Sequence, residues 1–142
     1  MKLTEHFTLE EMTRTSVKGE DNRPTEEAVA NLRRVCRWLE MLREEWNLRY
    51  GGGNDPVVVN SGYRSAAVNK AVGGAKNSNH LTGCAADIRV STTQQLLRYA
   101  VILLDISDQS REAFDELLLE RKGNKMWLHF AVRAIKNRMV VK

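Results

Sequence analysis

The apolar positions along this chain change period several times, and each change marks an element. Between residues 25 and 46, Val29, Leu32, Cys36, Leu39 and Trp46 recur at helical spacing with Arg and Glu between them, which predicts an amphipathic helix. Pro24 and Thr25 supply its entry, and the run GGGNDP ends it. A shorter helix is predicted in FTLEEMT (7–13), where Thr8 can cap and Glu11 stands three residues later. The β-branched run VVVNS (57–61) reads as a strand. Ser65 can then cap a helix through AAVNKAV, closed by Gly73 and Gly74.

From residue 85 to 90 the period drops to two: Ala86, Ile88 and Val90 point one way, Ala85, Asp87 and Arg89 the other. A helix is expected over 92–105, followed by a hairpin of DELLLE (115–120) and WLHFAV (127–132) joined by RKGNKM. The tail RMVVK can add a last strand. With no repeat, low-complexity tract or linker, residues 1–142 read as one α+β domain, a mostly antiparallel sheet with flanking helices.

The hairpin register can be argued from burial. With Glu120 opposite Trp127, Leu119 faces Leu128 and Leu117 faces Phe130, which gathers Leu117, Leu119, Leu128, Phe130 and Val132 on one face. The other face carries Glu116, Leu118, Glu120, Trp127, His129 and Ala131. Diagonal neighbours across a ladder stand about 7–8 Å apart. Glu116 and Glu120 therefore both flank His129, and Asp115 falls on the wrong parity.

Composition narrows the partners. The formal charge is +4, with the basic residues spread among acids, which suits nucleic acid as well as an anionic polymer such as a bacterial cell wall. No stripe of basic and aromatic residues marks a nucleic-acid surface, so none is expected to bind. The two cysteines, Cys36 on the helix stripe and Cys84 before Asp87, read as free thiols that pack. No apolar leader opens the chain and no stretch could span a membrane. Synthesis in the cytoplasm without a signal peptide is the expectation, as a monomer.

The chemistry concentrates in NSNHLTGCAAD (77–87) and in the second hairpin strand. His80 lies in a polar loop, Asp87 interrupts a strand, and His129 shares its face with two glutamates. Hydrolytic zinc sites take three ligands from His, Asp or Glu and keep a fourth position for water. On spacing alone these residues fit either such a set or ordinary polar side chains, His129 satisfied in a half-buried strand and Asp87 paired with Arg89 or Arg64.

Three segments in order, SGYRS (61–65), VNKAVGGAKNSNHLTGCAAD (68–87) and FDELLLE…WLHF (114–130), resemble the zinc D-Ala-D-Ala carboxypeptidase and L-Ala-D-Glu endopeptidase family. Its pattern S-x-H-x-x-G-x-A-x-D followed by W-x-H is matched by Ser78, His80, Gly83, Ala85, Asp87, Trp127 and His129. HFTLEEMTRT and the helix after it resemble the short phage- and prophage-associated branch. The resemblance implies a Hedgehog/DD-peptidase-type fold, with Zn2+ on His80, Asp87 and His129. It implies Arg64 as a residue that contacts substrate and stabilises charge, with Ser78 and Tyr63 beside the substrate. Many members carry their catalytic acid three residues before the last histidine, where this chain has Met126. The branch with FDQLILE…WVH carries a glutamate that aligns with Glu120, so Glu120 is expected to be the general base and Glu116 the second choice.

The implied activity is hydrolysis of a peptide bond in peptidoglycan stem or cross-link peptides by a zinc-activated water, carboxypeptidase or endolysin in type. Gly83 would let the loop turn close to the metal, and holin-type release would bring the protein to the wall. The alternative is an inactive zinc-containing domain that binds wall peptides.

Overall fold

The computed structural model describes all residues from Met1 to Lys142. A small hairpin that the sequence did not announce comes first, β1 (Lys2–Thr4) and β2 (Phe7–Thr8). Helix α1 (Leu9–Met12) follows directly, and Thr8 with Glu11 forms the reciprocal capping box expected of them. Helix α2 (Glu26–Arg49) is capped by Thr25. Strand β3 (Val59–Ser61) and helix α3 (Ala66–Ala71), capped by Ser65, come next.

A single 3-10 turn, Asn79–Thr82, interrupts the loop before β4 (Ala85–Arg89). Helix α4 (Thr93–Ser110) outruns its expected end, because the stop comes only at Arg111 in a left-handed conformation. Strands β5 (Glu116–Lys122) and β6 (Lys125–Ala131) extend into the expected six-residue connection and leave a tight turn. The tail returns as β7 (Val140–Val141). No helix is long and apolar enough to cross a membrane.

The main sheet has the order β3-β4-β6-β5-β7 and is antiparallel except for the β5–β7 pair. The hairpin register is the expected one, with Leu117 opposite Phe130, Leu119 opposite Leu128 and Glu120 opposite Trp127. One face of the sheet packs on α2 and α4. Ala86, Ile88, Leu117, Leu128 and Phe130 meet Val35, Leu39 and Leu42 of α2 and Ile102 and Leu103 of α4, all essentially without solvent contact. Leu119 shares that parity but lies near the hairpin tip and stays 38% exposed.

Burial of one such aliphatic or aromatic side chain contributes about 1.5–3 kcal/mol, so the apolar face holds the register. A slip by one residue would turn every side chain over. The opposite face is therefore set by the same force, and it carries Asp87, His129, Glu116 and Glu120.

Candidate metal centre

Asp87 and His129 face each other directly across β4 and β6. His80 arrives from the 3-10 turn, which Ser78 caps by accepting a hydrogen bond from the His80 main-chain N–H. His80 Nε2 stands 3.2 Å from Asp87 Oδ1, and His129 Nδ1 stands 2.9 Å from the same oxygen. One ligand atom from each of the three residues lies within 4.8 Å of the others.

The outer nitrogens settle how the rings are presented. His80 Nδ1 donates to the Gly62 carbonyl at 2.6 Å, and His129 Nε2 donates to Glu116 Oε1 at 3.0 Å. Neither acceptor has a hydrogen to give, so both outer nitrogens carry one, and in the neutral rings both lone pairs turn inward toward Asp87. Two inward lone pairs and a carboxylate form a donor set for a divalent cation, and outer acceptors on ligating histidines are its usual accompaniment.

Without a metal the inner nitrogens hydrogen-bond to Asp87 instead, and the charges reflect that state. Burial alone would raise the Asp87 carboxyl, but hydrogen bonds from His129 and His80 hold it far below the ordinary carboxylate range. Burial disfavours a charged His129 ring, yet the Asp87 and Glu116 carboxylates outweigh it and push that ring up to about 9 when no metal is bound. Glu116 is lowered, first by its bond to His129.

Around this centre opens a cleft of about 550 Å³. Arg64, Ser78, Glu116 and Glu120 all reach its wall. Arg64 Nη2 lies 3.8 Å from Asp87 Oδ2, and its Nε is enclosed without a hydrogen-bond acceptor. The second expected member of that motif goes elsewhere. Tyr63 is 7% exposed, belongs to the apolar core and does not line the cleft.

Gly83 does turn the loop, ending the 3-10 turn in the left-handed region at φ +76°. A Cβ there would also sit 2.5 Å from the Ala28 carbonyl of α2, so helix packing is a second reason for glycine. Cys84 is buried and lies outside the three-residue metal group. His6 pairs with Glu40, away from the cleft.

The chain matches the family model described as peptidase M15 over residues 5–116. It belongs to the peptidase M15 family. That match takes in His80 and Asp87 and ends before Glu120 and His129. The chain is also similar to the zinc D-Ala-D-Ala carboxypeptidase of Streptomyces albus G, with 49% identity over 41 residues. That stretch is 29% of this M15 chain and only 16% of the Streptomyces protein.

Several residues of the site escaped sequence reasoning. Arg14, Thr15 and Ser16, after α1, form part of the cleft wall. Asn79 donates to both Glu116 and Asp115, and Arg138 grips Asp115 through two nitrogens. Asp115 never touches His129, as parity required, but joins its surroundings through Asn79. Only the HFTLEEMTRT segment, quoted for its resemblance, hinted at the first group. No local pattern announces the second.

Proposed function

We propose that this chain is a zinc peptidase that hydrolyses a peptide bond in the stem or cross-link peptides of bacterial peptidoglycan. The observation that carries the reading is the inward aim of the two imidazoles at Asp87 on one wall of an open cleft. His80 through Nε2, His129 through Nδ1 and Asp87 through Oδ1 would hold the ion. Zinc bound there supplies a Lewis acid for the scissile carbonyl and lowers the pKa of water to about 7.

The chain's own groups do the rest. Glu120 takes the proton of the attacking water and delivers it to the leaving amine. Glu116 is occupied by His129 and Asn79, whereas Glu120 lines the cleft two ladder pairs from His129. Met126 does not weaken this role. In the regular β6 strand residue 126 has the parity of Leu128, and Met126 packs against the core, so an acid there would face away from the cleft. Arg64 orients the substrate and steadies developing negative charge through the part of its guanidinium that reaches the cleft wall, its side chain being 14% exposed. Ser78 lines the same wall and bonds a substrate carbonyl.

In this reading residues 1–142 form one peptidase domain of Hedgehog/DD-peptidase type, acting as a monomer. The finer assignment is a phage-associated endolysin that reaches the wall after holin-type release. Purified sacculi incubated with the zinc-loaded chain and analysed by mass spectrometry test the activity and name the bond. Zinc binding without any new peptide end would leave a wall-binding domain instead.

A further inference from the structure

Resting on the metal-site reading above, we propose that Glu116 is a positioning residue that fixes His129 in the tautomer offering Nδ1 to the metal. Asn79 and Arg138 hold its carboxylate in place. The geometry begins at His129 Nε2, which stands 3.0 Å from Glu116 Oε1. A neutral imidazole has one N–H. With an ion held at Asp87, a carboxylate on Nε2 would keep the hydrogen there and leave the lone pair on Nδ1, the nitrogen 2.9 Å from Asp87 Oδ1.

Glu116 is itself held. Its Oε1 also accepts from Asn79 Nδ2 at 2.6 Å, and its Oε2 lies 3.5 Å from Arg138 Nη2. Asn79 cannot turn its amide over without loss. Its nitrogen serves Glu116 and, at 2.8 Å, Asp115 Oδ2, while its oxygen accepts from Arg133 Nε at 2.9 Å. Asp115 is wholly buried and is gripped by Arg138 Nε at 3.0 Å and Nη2 at 2.8 Å. Asn79 directly precedes His80, so one side chain ties the segment bearing the first ligand to the carboxylate that orients the last. Removing a partner that orients a metal-ligating imidazole typically lowers metal affinity about 10–100-fold.

The experiment uses the full chain with zinc alone as probe, titrated against a chromophoric chelator, and long-range proton–nitrogen NMR of His129 in the zinc-loaded form. The expected result is Nε2–H on wild-type His129 and zinc affinity about 10–100-fold lower in Glu116→Ala. Glu116→Gln, whose amide oxygen can still accept from Nε2–H, should regain most of that affinity. Wild-type zinc affinity in a folded Glu116→Ala overturns the proposal, as does a folded Glu116→Gln as weak as the alanine variant. If Glu116→Ala does not fold, the NMR decides: a zinc-loaded wild type with no hydrogen on His129 Nε2 overturns it. A chain that binds zinc with these dependences but cleaves no wall peptide sinks the peptidase reading and leaves this one standing. Wall cleavage together with an unaltered zinc affinity in Glu116→Ala does the reverse.

Discussion

Asp87 and His129 are direct partners in the β4–β6 ladder, and the ladder sets Asp87 Oδ1 2.9 Å from His129 Nδ1. On the reverse face the neighbouring pairs are Ala86 with Phe130 and Ile88 with Leu128, all buried. The ligand pair therefore inherits its register from the hydrophobic core.

Either imidazole should be indispensable for zinc. His80→Ala and His129→Ala are expected to purify with zinc at background level and to leave sacculi intact, by elemental analysis and a turbidity assay. Stoichiometric zinc in either variant would remove that residue from the ligand set.

Glu120 should separate binding from turnover. Glu120→Gln is expected to keep wild-type zinc content while kcat drops by about 10²–10⁴-fold, the usual contribution of a positioned acid–base group. Undiminished turnover in that variant would take Glu120 out of the mechanism.

The metal-free protein should lose stability as pH rises. His129 is raised from 6.5 to about 9 by Asp87 and Glu116 against the cost of burial. A raised folded-state value stabilises fully below the unfolded one and is lost as pH climbs through the folded one. Chemical denaturation in chelator should show a decline between about pH 6.5 and 9 that zinc-loaded protein lacks. Zinc uptake at pH 7 should also release a proton, which calorimetry in buffers of different ionisation enthalpy reads.

Acid should weaken the Asp115 anchor. Burial would raise that carboxyl, but Arg138, Asn79 and Arg133 bring it down to about 2. A depressed value stabilises above the unfolded one, so the contribution disappears as pH falls from about 4 through 2. Asp115→Asn should cost about 1.5–3 kcal/mol at pH 7, and its stability should vary less than wild type's over that acid range.

Gly62 should tolerate no side chain. An added Cβ would run into the Met12 carbonyl, and the Gly62 carbonyl is the acceptor that holds His80 Nδ1. Gly62→Ala is expected to lose about 1–3 kcal/mol and to bind zinc more weakly, by thermal denaturation and chelator competition. A variant matching wild type in both would show that the segment shifts freely.

Much of this was legible in the sequence because the signals were local or periodic. Thr8, Thr25 and Ser65 cap the helices they were expected to cap. The alternation of Leu117, Leu128 and Phe130 gave the hairpin register and placed both glutamates beside His129. What escaped depends on contacts between distant segments. Arg138 meets Asp115 across 23 residues and Arg133 meets Asn79 across 54, and neither spacing has a periodic signature. Tyr63 shows the complementary failure. It adjoins a residue of the cleft, but one step along irregular backbone sends its ring into the core.

The two histidines are steadied by different kinds of atom. His80 leans on a peptide oxygen, which exists whatever residue occupies that place and can be altered only by moving the chain. His129 leans on the side chain of Glu116, which a single codon change can shorten, neutralise or delete. One half of the centre is thus cast in the scaffold and the other is adjustable, and it is through the adjustable half that affinity for the ion could drift without disturbing the fold.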